Sequence, residues 1–213
     1  MILKSVYLYP SLLDYPVELT SSIRYETRGI CNYIERALKS IKYNSEGYDR
    51  VCFVGVENPA RIFVNTANVL EVEVPFDVDE YGRIDRDLIG SYYEKMILSG
   101  LSFVDGKVDF PVSDVRKLLE SYRSCGYINK WLFKSKKYRK TGIEVSLYCE
   151  INLSEFKLDL VVSKAGEVVF DSTILVTRTE EQFYKGKFKD VKYLDGEVCV
   201  VDARENEIFR VRV

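Results

Sequence analysis

Histidine is absent from all 213 residues. Its absence removes Ser–His and Cys–His nucleophile pairs, imidazole metal ligands and the commonest general base. An enzyme would be left with paired carboxylates, lysine, tyrosine or an unpartnered cysteine. No motif gathers such groups, so the expectation is a protein without catalytic residues. Glycine-rich phosphate loops are missing too, with neither GxGxxG nor GxxxxGK[ST] present. Cys31, Cys52, Cys125, Cys149 and Cys199 are odd in number, scattered and without a CxxC pair. Neither a disulfide framework nor a zinc site is expected of them, and most read as small buried hydrophobes.

Long apolar runs are also lacking. No window approaches the roughly 18 apolar residues of a membrane span. The opening Met1-Ile2-Leu3-Lys4-Ser5-Val6-Tyr7 does not follow the basic-then-apolar order of a signal peptide. A cytoplasmic protein with no membrane partner, no metal and no cofactor is therefore expected. Net charge is small, −2, which provides no overall attraction to nucleic acid or anionic lipid.

What the chain has is a core and an ordinary surface. Hydrophobic residues make up 46% and charged residues 30%, which excludes disorder. Residues 1–110 carry 12 basic and 17 acidic side chains, whereas residues 111–213 carry 19 and 16. Ile2 to Tyr9 reads as a strand. Ile23, Ile30, Ile34, Leu38 and Ile41 share one face of a long helix. Strands are expected at 51–56, 61–65 and 69–74, then helices opened by Asp85 and Ser113 as N-caps.

Beyond Thr141, Ile143 to Ile151 and Phe156 to Val162 alternate apolar with polar residues, and Ala165-Gly166 and Asp195-Gly196 read as hairpin turns. The predicted class is α+β: a helix-rich first two thirds with a small mixed sheet, then a C-terminal antiparallel meander. One body spanning residues 1–213 is expected, with lobes 1–140 and 141–213.

Two stretches carry candidate chemistry. Asp77-x-Asp79-x-Tyr81-Gly82-x-Ile84-Asp85 partly follows a calcium loop. It has Tyr81 where a ligand belongs, however, and Leu88 where the bidentate Glu should be. The simpler reading is an acidic turn entering a helix N-terminus. Lys130 to Lys140 interleaves six basic residues with Trp131, Phe133 and Tyr138, a pattern that binds single strands or forms a solvated connector with its aromatics tucked into the core. The 16 tyrosines beside one tryptophan suit a protein interface as well as a core.

The segments SVYLYPSLLDYP (Ser5 to Pro16), RGICNYIERALKSI (Arg28 to Ile41) and ESYRSCGYINKWLFKSKKYRKTGI (Glu120 to Ile143) resemble bacterial immunity proteins of polymorphic toxin–immunity systems of the contact-dependent inhibition type. The resemblance implies a cytoplasmic protein that neutralises a cognate toxin, such as a nuclease, by blocking its active or effector surface. Toxins that act on nucleic acid present basic surfaces, so an acidic face is the expected partner site. Glu71, Glu73, Asp77, Asp79 and Glu80 are its candidates, with Tyr81 as an aromatic anchor. The alternatives are a nucleic-acid-associated protein using Lys134, Lys136, Lys137 and Arg139, and a structural protein that self-assembles through β edges.

Overall fold

In the computed structural model, which describes all of Met1–Val213, the first strand is Ser5–Pro10 (β1), with Val6, Leu8 and Pro10 buried. Ile2 is outside it and makes only an isolated bridge to Asn44. Strands Arg50–Val56 (β2), Ile62–Val64 (β3) and Val69–Pro75 (β4) complete a sheet of order β1-β2-β4-β3. β1, β2 and β4 run parallel and β3 is antiparallel to β4, so the sheet is mixed.

The long helix expected across residues 23–41 is two helices, Val17–Glu26 (α1) and Arg28–Ser40 (α2). Thr27 separates them. Its hydroxyl donates to Leu8 O at 2.7 Å and lies 3.3 Å from Arg24 O, which ties the junction of the two helices to β1. α2 lies against β1, where it meets the strand's open edge. Val6 N donates to Glu35 Oε1 at 2.7 Å and Arg28 Nη1 donates to Val6 O at 3.1 Å. Arg28 and Glu35 are themselves paired at 2.8 Å, with side chains 2% and 4% exposed.

Val78–Arg83 (α3) follows β4, then a 3-10 turn Arg86–Leu88, Ile89–Val104 (α4) and Val112–Ser124 (α5). Asp85 does cap, but it caps the 3-10 turn, accepting from Asp87 N at 3.2 Å. Ser113 does not cap α5. The helix starts at Val112, because Val115 N already bonds Pro111 O at 3.0 Å. Proline suits that entry since it has no N–H to satisfy. α4 packs on β2 and β4 at a distance set by Gly100. A Cβ there would meet Phe53 Cδ1 at 2.6 Å and Val74 Cγ1 at 2.8 Å.

Chain contacts divide the protein into two compact units, Met1–Asn129 and Lys130–Val213. The boundary expected near residue 140 thus falls earlier, because the lysine-rich run is a strand of the second unit and not a connector. Asn129–Tyr138 (β5), Ile143–Ile151 (β6), Phe156–Lys164 (β7) and Glu167–Thr177 (β8) form one sheet in that order. A short helix, Glu181–Tyr184 (α6), leads to Asp190–Leu194 (β9), Glu197–Val201 (β10) and Glu207–Arg212 (β11), ordered β11-β10-β9.

The C-terminal strands are therefore two sheets and not one meander. Val145, Leu147, Leu158 and Leu160 of one sheet share a core with Val191, Val198 and Val200 of the other. Phe156 stacks on Tyr184 at 3.9 Å with a 7° interplanar angle. At Ala165-Gly166 and Asp195-Gly196 all four residues have positive φ, the type I′ geometry that matches strand twist.

Replacing Glu35 with alanine leaves the Arg28 guanidinium buried without its carboxylate and frees Val6 N. Urea unfolding should show a loss of about 3–5 kcal/mol, against about 0.5 kcal/mol or less for alanine at exposed Glu18.

Candidate functional site

The three parallel strands end on one side of the sheet, β1 at Pro10, β2 at Val56 and β4 at Pro75. A carboxylate follows each end: Asp14, Glu57 and Asp77. Crevices outside the carboxyl ends of parallel strands are where such sheets bind ligands. Tyr15 stands among the three acids. Its ring meets Phe76 edge-on at 5.1 Å and its hydroxyl donates to Phe76 O at 3.2 Å. Burial, then Glu57, Asp14 and Asp77, push its pKa up.

Two hollows that both include Glu57 open here, of about 250 and 400 Å³. The smaller has an apolar floor of Phe76, Tyr92 and Met96 with Glu57, Asp77 and Glu80 around it, and Lys95 as its one cation. Asp14, Glu57, Asp77 and Glu80 enter no ion pair. In the larger hollow Arg61 is neutralised by Glu73, so the crevice is negative overall. No group of three or more Cys, Asp or Glu side chains is arranged to hold a metal ion.

The six residues expected to form one acidic face are distributed over several places. Asp77 and Glu80 line the crevice. Asp77 Oδ1 also caps α3, accepting from Asp79 N at 2.8 Å and Glu80 N at 2.9 Å, so the stretch is an acidic helix entry. Asp79 is exposed on the first turn of α3.

Glu73 is a buried clamp that accepts from Ala60 N and Arg61 N, both at 2.9 Å, and from Arg61 Nε at 2.7 Å. Burial pushes its pKa up, but these donors outweigh it and hold the carboxyl below its usual range. Glu71 lies elsewhere, in a cavity on the sheet's outer face. Tyr81 is not an outward anchor. Its ring packs on Phe76 and Tyr92 at 5.8 and 6.3 Å. Its hydroxyl donates at 3.3 Å to Glu26, which also accepts from Tyr93 and from Arg86 at 2.6 Å.

Asp14 and Glu57 were not among the expected residues. Glu57 directly follows β2 and Asp14 lies on the loop after β1, and only the parallel alignment of those strands brings them together.

The basic run is largely neutralised within the second unit. Lys134 and Lys136 both bind Asp190, at 2.9 and 2.7 Å, and Lys137 binds Glu144 at 3.2 Å. Arg139 is exposed. The aromatics between them are committed elsewhere: Trp131 meets Phe156 at 6.5 Å, Phe133 meets Phe188 at 4.8 Å, and Tyr138 meets Tyr193 at 5.3 Å. Most of the charge along β5 is thus paired, and Phe133 is its exposed aromatic.

No helix is long and apolar enough to cross a membrane. No family model, curated protein or solved structure matches the chain.

If the three carboxylates converge on Tyr15, its phenol should titrate above the ordinary tyrosine range. Glu57→Gln should move it back down, as followed by NMR on ring-labelled tyrosine. The sign for stability follows: a raised pKa favours the folded state at neutral pH, and that contribution disappears as pH rises through the folded-state value.

Proposed function

We propose that this chain is an immunity-type binding protein that neutralises a basic protein partner, a cognate toxin, by docking the toxin's cationic surface on the crevice at the strand ends. The observation that carries this reading is the convergence of Asp14, Glu57 and Asp77 from three separate strand ends, with Glu80 beside them and a single lysine opposing.

An apolar floor under an acidic rim fits a long cationic side chain, its methylenes on Phe76 and Met96 and its head among the carboxylates. The loop that carries Asp14 also presents Leu12 and Leu13, 61% and 96% exposed. These leucines provide apolar contact next to the charge. A toxin that acts on nucleic acid has the complementary surface, and the missing histidine accords with binding in place of catalysis.

The test uses the tagged full chain, recovered from its producing cells at moderately high salt, beside Glu57→Lys/Asp77→Lys and a Glu167→Lys control in the second unit. The wild type and control should retain one basic protein whose own expression arrests growth and whose co-expression with this chain does not. The double reversal should slow association about tenfold or more and flatten its salt dependence. Unchanged binding by the double reversal, or recovery of nucleic acid in place of protein, overturns the proposal.

A further inference from the structure

The opposite side of the mixed sheet holds a separate cavity of about 270 Å³. Strand register places Tyr7 beside Cys52 and Cys52 beside Glu71, one row on the face turned away from Phe53 and Val72. Parallel strands are ordinarily covered on both faces. Here α1 provides only a wall, through Ser21 and Arg24, while Asn65 from the β3–β4 turn provides another.

Two guanidiniums stand at the rim. Arg24 lies 5.8 Å over the Tyr7 ring. Arg50 is exposed and makes only long contacts, 3.4 Å to Asp49 Oδ1 and 3.3 Å to Ala67 O. A guanidinium carries five N–H donors, so Arg50 keeps donors for a ligand. Glu71 is the acidic side chain that lines the cavity, held back against the wall by Asn65 Nδ2 at 2.6 Å, while Asp49 pairs with Arg50 outside it. On the floor, burial pushes the Tyr9 phenol and the Cys52 thiol up. The floor is therefore neutral, and the cation with donors to spare at the cavity is Arg50.

We propose that this cavity is a binding site for a small molecule bearing one anionic group on a flat apolar body. The anion meets Arg50, and the body lies along Tyr9, Leu12 and Val69. Ligand pockets commonly measure about 300–1,000 Å³, so a volume of about 270 Å³ suits a single-ring compound. The site shares no lining residue with the acidic crevice and stands without the toxin reading.

Phenyl phosphate and benzoate probe the two anion chemistries on one body, with benzyl alcohol as the neutral control. Binding to the full chain is read from the Nε–Hε NMR signals of Arg24 and Arg50. One or both anions should give saturable shifts at millimolar concentration or below, and the stronger of the two identifies the anion class. Arg50→Gln should weaken binding about tenfold. Glu71→Gln should tighten it about twofold to fivefold by removing the opposing charge.

Both arginines are exposed, so unchanged urea midpoints are expected. Arg50→Lys, which keeps the charge and loses the fork, should fall between wild type and Arg50→Gln. Absence of saturation with both anions, an equal response to benzyl alcohol, or weaker binding in Glu71→Gln would overturn the proposal.

Discussion

The first unit depends on how the outer edge of β1 is closed. A parallel sheet that ends in a buried edge strand leaves amides and carbonyls with no water and no neighbour, at a cost comparable to a lost hydrogen bond for each. Here Arg28 and Glu35 take the place of a strand, donating to Val6 O and accepting from Val6 N, while Thr27 satisfies Leu8 O. Their mutual charge makes the arrangement tolerable so deep inside, because each ion has the other as well as backbone dipoles. The pair also closes an edge that would otherwise invite another chain to add a strand. Arg28 further lies 5.4 Å over the Tyr7 ring, so the residue that seals the edge also stands behind the outer-face cavity.

With that edge sealed, β2 and β4 can extend the sheet in one direction only, and the three strand ends stay together. The crevice follows from this geometry more than from any local motif. Asp14 is on a loop, Glu57 directly follows a strand and Asp77 caps a helix, three unrelated settings that share only a side of the sheet. Carboxylates gathered in this way repel one another. The protein accommodates them at a wet rim where Lys95 and the first-turn amides of α3 offset part of the charge.

Strand and helix positions were legible wherever periodicity decides them. The alternation of β6 and β7, the apolar run of β2 and the positive-φ turns at Ala165 and Asp195 all follow from local rules. Errors arose where a tertiary contact overrides the local pattern. Thr27 interrupts a helix whose apolar spacing is continuous, and its hydroxyl ties that junction to Leu8 O. Lys130 to Lys140 reads as a connector with its aromatics tucked into the core; Trp131 and Tyr138 do pack on a core, yet the run is an edge strand because the strands it joins lie further along the chain. The acidic stretch 71–81 is contiguous in sequence, but strand direction and helix capping send its carboxylates to separate places. Asp14 and Glu57 carry no signal of their own until the strands are known to be parallel.

Under the proposed reading, the crevice and the Leu12-Leu13 tip do different work. Rim carboxylates raise the rate of encounter with a basic surface and orient it, but exposed charge pairs contribute little to the lifetime of a complex, particularly at cellular salt. Lifetime comes from desolvated apolar contact at the centre of the interface. Leu13, 96% exposed, contributes nothing to this chain's own core, and its burial against a partner is a net gain in hydrophobic stabilisation. Leu12 stands at the lip of the outer-face cavity, so the loop separates the acidic crevice from the arginine-rimmed hollow. A partner seated on that loop would meet negative charge on one flank and positive charge on the other. Such a bipolar surface admits one orientation and repels the reverse, so selectivity here requires both charge signs at fixed places around an apolar point.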